Sequence, residues 1–530
     1  MSEHTAIPAD PELDPTATYA TDPAMVRRLA GLVHATGEPR TTYAPATGQP
    51  VAALPTATAA DVAKAARAAR AAQERWKRTT ADERAEILLR YHDLVLDHRQ
   101  ELMELAQLES GKARKQAFEE VAHVALTARY YARKAAEFLA PQGRSGIFPV
   151  LTKVEQQYVP KGLVGIIAPW NYPLSMAMAD GIPAVVAGNA VLIKPDGQTP
   201  LTVLRAIELL YEAGLPADVW SVVPGSGSVV GTAIIQTADY VCFTGSTRTG
   251  RLVAKQAGER LIGCSLELGG KNPMLVLRDA DIQRAAEGAV RACFASAGQL
   301  CVSMERMYVA DQIYDSFMAA FVARVKKLRL SAGTGWDADM GSLISADQLE
   351  TVTRHVADAK AKGAVVLTGG RARPDIGPYF YEPTVLEGVT PRMECFDNET
   401  FGPVVSVYRF SSEAEAVQRA NEGEYGLNAS VWTRDTRRGR QIARQLVAGT
   451  VNVNEGYAAT FGSIDAPMGG MRASGLGRRQ GVEGIRRYQH SQAIATQRLL
   501  PVAASHGLSD QSYAELMTVA LRILKKVGRA

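Results

Sequence analysis

Cys301, in the run Ala297-Gly298-Gln299-Leu300-Cys301-Val302-Ser303, follows Glu267 by 34 positions, and Glu267 opens the run Glu267-Leu268-Gly269-Gly270-Lys271-Asn272-Pro273. Together these two residue types can run one covalent cycle. A thiolate attacks a carbonyl, and a carboxylate then activates the water that releases the acyl group from sulfur. Either residue alone is ordinary, because an unpaired cysteine is commonly a small core hydrophobe and most glutamates are solvated. The flanking glycines, Gly298 on one side and Gly269-Gly270 on the other, allow close backbone approach or a positive φ beside each.

Other segments can hold a ligand. Pro224-Gly225-Ser226-Gly227-Ser228-Val229-Val230-Gly231 leaves a strand-like run and opens a helix, a geometry that aims backbone N–H groups at phosphate. It is not a standard G-x-G-x-x-G, and a tight strand-to-helix turn would look the same. Phe243-Thr244-Gly245-Ser246-Thr247 repeats the arrangement one unit later, and two such turns favour a dinucleotide. Lys194-Pro195 sits where a strand would end, the edge at which open sheets bind ligands. A lysine there can bond ribose hydroxyls or a 2′-phosphate, although a solvated strand-end charge is the commoner case.

The elements that must position these groups are legible in the periodicity. Residues 59–139 read as amphipathic helices, with Ile87, Leu88, Tyr91, Leu94 and Val95 at helical spacing. From Gly162 short apolar runs at 164–167, 190–193, 220–223 and 240–243 alternate with helices, which implies βα units and a parallel sheet. A second α/β region begins near Glu267. Its strands are expected at 274–277, 306–309, 404–408 and 430–432, and its helices at 281–295 and 313–328. Strand-like stretches also occupy 154–157 and 489–496.

Five segments (Pro169-Trp170-Asn171-Tyr172-Pro173, Phe243-Thr244-Gly245-Ser246-Thr247, the Glu267 and Cys301 runs, and Glu399-Thr400-Phe401-Gly402-Pro403) resemble the aldehyde dehydrogenase superfamily in order and spacing, from about Thr41 to about Thr496. The resemblance implies an α/β fold of two Rossmann-type domains with a projecting β arm for oligomerisation. It divides the chain into a dinucleotide-binding domain (23–145 and 160–266), a catalytic domain (267–465) and the arm (146–159 and 486–499), while composition makes 1–22 a mobile leader and the segment past the resemblance a helical extension (500–530). The resemblance makes Cys301 the nucleophile and Glu267 the base, and assigns the oxyanion to the Asn171 amide with the Cys301 N–H. Cofactor contacts fall on Trp170, Lys194, Gly197, Gly225, Gly231, Phe243, Ser246 at the pyrophosphate, Glu399 at the nicotinamide ribose, and Phe401 beside it.

NAD-preferring relatives often carry a glutamate where this chain has Gly197, so NADP is the expected cofactor and NAD the alternative; Asp196 opposes this if it faces the ribose. The chain most resembles the actinobacterial NADP-type branch that acts on succinate semialdehyde. The two arginines that hold a distal carboxylate in such enzymes fall at Met178 and Ala295 here. An unpartnered buried carboxylate is costly, which leaves Arg472, Ser463 or backbone donors to replace them, or a less polar aldehyde as substrate. The glycine-rich run at 467–478 reads as a structural turn.

Composition narrows the rest. At 530 residues, two or three domains are expected. A net charge of +4 from 59 basic and 55 acidic residues, interleaved throughout, argues against a nucleic-acid footprint. Five cysteines without a C-x-x-C pair and scattered histidines suggest neither disulfides nor metal and fit a reducing cytoplasm, while the projecting arm that the resemblance implies makes a homodimer or homotetramer expected. Residues 1–22 lack a signal-peptide pattern. The apolar run 181–193 is too short, and too interrupted by Pro183, to span a membrane. The apolar face over 516–527, with Arg522, Lys525 and Lys526, reads as a packed terminal helix or a membrane-touching one. Two other classes use part of this pattern: a cysteine acyltransferase or esterase without redox chemistry, and a non-catalytic binding protein of the same fold.

Overall fold

The computed structural model describes Pro11 and residues 19–148, 151–498 and 501–526, so most of the expected leader lies outside the described residues. An antiparallel ribbon of β1 (Pro39–Tyr43) and β2 (Pro50–Pro55) precedes the helices Ala59–Trp76, Ala81–Asp97, Arg99–Ser110 and Arg114–Leu139. Sequence sets where two of these helices begin. Thr58 with Asp61 and Thr80 with Glu83 form reciprocal capping boxes that satisfy N–H groups of the first turn.

After β3 (Gln142–Arg144) and β4 (Thr152–Pro160) come β5 (Leu163–Ile167), β6 (Ala190–Lys194), β7 (Trp220–Val222), β8 (Tyr240–Thr244) and β9 (Gly263–Glu267). Strands β5 to β9 pair in parallel in the order β9-β8-β5-β6-β7. From β5 the chain runs outward through β6 and β7, then returns to the other side of β5 for β8 and β9. The connection order therefore reverses between β5 and β8, which is where open α/β sheets bind ligands.

A second sheet holds β10 (Asn272–Val276), β11 (Met304–Ala310), β12 (Val365–Thr368), β13 (Thr384–Glu387), β14 (Val404–Phe410), β15 (Asn428–Trp432) and β16 (Thr450–Val453), in the order β12-β13-β14-β11-β10-β15-β16. Only the β12–β13 pair in it is antiparallel. The chain then returns: β17 (Gly475–Leu476) adds antiparallel to β9, and β18 (Gln489–Gln497) joins β4 and β3 in a separate antiparallel sheet. One large apolar core and two smaller clusters, which include Leu163, Leu192, Val241 and Phe243, serve the first large sheet, and a second large core serves the other. The short buried runs formed strands because each packs helices on both faces. Strand β9 did not announce itself, since Gly263-Cys264-Ser265-Leu266-Glu267 is too polar to read as a buried run. The helix at Asp510–Lys526 has no buried residue, and Leu516, Val519, Leu521 and Ile523 are exposed on it.

Candidate active site

The expected catalytic residues converge on one cleft of about 230 Å³ between the two large sheets. From the first sheet come Trp170 and Asn171 after β5, Thr244, Gly245 and Ser246 at the end of β8, and Glu267 at the end of β9. From the second come Cys301, Glu399 and Phe401.

Cys301 is held by an unusual piece of backbone. The helix Ile282–Phe294 was expected to continue to 295, but the chain breaks there into three successive left-handed residues, Ser296 (φ 50°), Ala297 (φ 55°) and Gly298 (φ 70°). Such conformations are costly outside glycine and persist where surroundings over-determine them. Here a Cβ on Gly298 would stand 2.0 Å from the Gly402 carbonyl oxygen. Asn272 ties down the far side, its amide donating to the Cys301 and Ser303 carbonyls at 2.7 Å each. Cys301 is partly buried, whereas Cys242, Cys293 and Cys395 are buried in the cores. Burial, with Glu267 and Glu399 nearby, pushes the Cys301 thiol up to about 12.

Glu267 is buried, and its Oε1 has no hydrogen-bond partner among the described residues. Burial raises its carboxyl to about 7, with Arg479 pulling the other way. Asn171 is buried where Pro173 starts the helix Pro173–Val186; its Nδ2 donates to the Gln299 carbonyl at 3.0 Å, leaving its second amide hydrogen for a ligand. Its carbonyl accepts from Lys112 Nζ at 2.6 Å, and Lys112 is paired in turn with buried Glu120, whose other oxygen takes the Ser175 N–H at 2.9 Å. The Lys112–Glu120 pair thus clamps the turn that presents Asn171.

Glu399 accepts from the Gly270 N–H at 2.8 Å, and a Cβ on Gly269 would lie 2.4 Å from Glu399 Oε2, so a side chain at 269 would displace that carboxylate. Burial lifts the Glu399 carboxyl to about 8. Phe401 (φ 50°) meets Trp170 edge to face at 5.5 Å. Glu305, paired with Lys271, receives the Thr400 N–H at 2.9 Å and the Phe401 N–H at 2.9 Å, and so orders this loop.

The residues present fit a dinucleotide. Ser246 caps the helix Thr247–Glu259 and Ser226 caps the turn Gly227–Gly231, leaving free N–H groups at both starts. A second groove of about 300 Å³ continues past β6 and β7, lined by Gly197, Gly225, Ser226 and Val229. Lys194 lies deeper than the sequence suggested: it is buried, donates to the Pro195 carbonyl at 2.7 Å, and burial lowers its ammonium. Asp196 is turned into its own loop, accepting from the Gln198 N–H at 2.9 Å. Gly231 and Phe243 lie behind the lining rather than in it, Phe243 under Gly245, where an added Cβ would meet its ring at 2.6 Å.

The sequence reading missed Arg479 and Asp180. Arg479 lines the cleft and bonds Asp180 through Nη2 to Oδ2 at 2.8 Å and Nε to Oδ1 at 3.2 Å, while Arg487 donates to the same Oδ1 at 2.6 Å. An aspartate within an otherwise apolar helix was the available signal, because a buried carboxylate requires a partner. The two side chains considered for a distal carboxylate are elsewhere: Arg472 is exposed and donates to the Asn421 and Gly423 carbonyls, and Ser463 donates to the Ala459 carbonyl. Met178 is in the core, and Ala295 joins an apolar wall of Tyr172, Met176, Leu300, Val302, Tyr457, Phe461 and Met468. Among the described residues no cluster suited to a metal ion and no helix long and apolar enough to cross a membrane is present.

A cysteine on a strained loop facing a buried glutamate, across a cleft at the switch point of a dinucleotide-type sheet, defines an aldehyde-oxidising architecture, and the sequence profile of the aldehyde dehydrogenase family matches residues 32–494. The chain belongs to that family. A Mycolicibacterium smegmatis protein with the provisional name succinate-semialdehyde dehydrogenase (NADP(+)) is 55% identical over 91% of this chain and 93% of its own length. A similarly named Mycobacterium tuberculosis H37Rv protein is 50% identical over 95% of this chain and 98% of its own. The NAD+ complex of a Bacillus cereus aldehyde dehydrogenase superposes with a TM-score of 0.85 at 34% identity, covering 91% of this chain and all (100%) of that one.

Proposed function

We propose that this enzyme oxidises succinate semialdehyde to succinate with NADP as the preferred acceptor and NAD as the weaker one. The observation that carries the chemistry is the convergence of Cys301, Glu267 and Asn171 on one cleft; the names of the 50% and 55% identical relatives support the substrate and cofactor.

Burial, with Glu267 and Glu399 nearby, disfavours the Cys301 thiolate. The dinucleotide, when bound, supplies a hydride acceptor. Sulfur forms a bond to the aldehyde carbon as its proton passes to solvent water, and the carbonyl oxygen becomes an oxyanion facing the free Asn171 amide hydrogen. Donors already in place act on charge that develops only in the transition state. Hydride departs from the same carbon and leaves a thioester on Cys301. Glu267 then takes a proton from water, the oxygen adds to the acyl carbon, the C–S bond breaks with its electron pair left on sulfur, Glu267 returns the proton to restore the Cys301 thiol, and the acid leaves.

The apolar wall around Met176, Leu300, Val302 and Phe461 favours a second reading, an aldehyde without a distal acid. Comparing kcat/KM for succinate semialdehyde and butanal decides between them: a higher value for the acid supports the first, and an equal or lower one removes it. NADPH formation monitored at 340 nm also separates the dehydrogenase from a cysteine acyltransferase or esterase. The six-stranded sheet serves as the dinucleotide-binding domain and the seven-stranded one as the catalytic domain. The exposed β3–β4–β18 sheet, with Val159 and Ile494 outward, supports a homodimer or homotetramer, and a free-thiol nucleophile suits the cytoplasm.

A further inference from the structure

The groove beyond β6 and β7 holds a cation that is not among the residues so far assigned to the cofactor. Arg40, on β1, reaches over from the N-terminal ribbon, and a Cβ built on Gly197 would lie 3.1 Å from its Nη1. Arg40 lines the groove together with Thr58, Gly197, Gly225 and Ser226, is exposed, and its guanidinium makes no hydrogen bond or ion pair among the described residues. Lys194, the cation expected at this place, is withdrawn: its ammonium is buried and donates to the Pro195 carbonyl.

We propose that Arg40 selects NADP over NAD by pairing with the 2′-phosphate of the adenosine ribose, across the space that Gly197 leaves open. A guanidinium suits this task because it stays charged and presents parallel N–H donors to phosphate oxygens. An aspartate or glutamate on this side would cancel it, but Asp196 faces its own loop and position 197 has no side chain. The ribbon is pinned for the purpose: Arg40 pairs with Leu54 across β1 and β2, and Ala57, just beyond β2, donates to the Pro224 carbonyl at 2.6 Å, so Arg40 and the Gly225 turn are held together.

This inference rests on the NADP reading, and binding separates the two. Dissociation constants for NADP, NAD, 2′,5′-ADP and 5′-AMP are measured by calorimetry on the full-length wild type, Arg40→Gln and Arg40→Lys. Arg40→Gln weakens NADP and 2′,5′-ADP by about 10- to 100-fold, the size of one charge-assisted hydrogen-bonded contact, and leaves NAD and 5′-AMP within about twofold. Arg40→Lys keeps part of the phosphate affinity, since the charge remains and the fork is lost. If all four ligands weaken together in Arg40→Gln, Arg40 is a structural residue and the proposal fails. A wild-type preference for NADP that persists in Arg40→Gln removes the proposal alone, whereas a wild type that binds NAD and NADP equally removes the NADP reading with it.

Discussion

Glu267→Gln isolates the second half of the reaction. The carboxyl is raised to about 7 because burial disfavours its charged form, and its Oε1 has no hydrogen-bond partner among the described residues. The active base is the ionised form, so it accumulates as pH rises through about 7. With that midpoint, about one site in eleven is ionised at pH 6 and about ten in eleven at pH 8, so the steady-state rate rises roughly tenfold over that interval. Glutamine is nearly isosteric and cannot take the proton. Loss of a positioned general base costs about 10²- to 10⁴-fold, or about 3–5 kcal/mol of barrier. Stopped-flow absorbance at 340 nm with saturating aldehyde then shows a burst approaching one NADPH per subunit, followed by a steady state reduced by that factor and flat in pH between 6 and 8. A variant that keeps a pH-dependent steady state with a midpoint near 7 refutes the assignment. Loss of the burst, with hydrolysis of a preformed thioester unimpaired, would transfer Glu267 to activation of Cys301.

Other consequences are equally direct. Cys301→Ser abolishes turnover while calorimetry still detects NADP, because the remaining cysteines line neither groove; substantial residual turnover would displace Cys301 as nucleophile. Arg479→Gln removes the cation that favours ionised Glu267, so the midpoint of the steady-state pH profile moves upward by about one unit, with the burst retained and activity recovered near pH 9; Arg479→Lys restores most of the original profile, and an unmoved midpoint in Arg479→Gln would confine Arg479 to holding Asp180. Gly197→Glu places a carboxylate beside Arg40 and shifts kcat/KM from NADP towards NAD by about tenfold or more, through repulsion of the 2′-phosphate and capture of the guanidinium; unchanged discrimination would separate this groove from the 2′-phosphate.

The chemistry was legible in the chain because its carriers sit in short runs with local signatures. Cys301 beside Gly298, Glu267 beside Gly269-Gly270, and the Ser226 and Ser246 turns each combine a reactive or capping residue with the backbone freedom it needs, and most buried strands announced themselves as short apolar runs between helices. Their meeting in one cleft followed from βα alternation, which puts strand ends on one edge of a sheet. The charges that tune the site left no such trace. Arg479 and Asp180 are 299 positions apart, and Lys112 reaches the Asn171 carbonyl across 59. The sequence could name Lys194 as a cation at the cofactor edge, but tertiary packing buried it and brought Arg40 from a distant ribbon to Gly197 instead. Periodicity records which face of an element is apolar, whereas the partner of a buried charge is set by how separate elements pack. That is why the candidate nucleophile and base could be proposed from the sequence, while their electrostatic environment was decided by the fold.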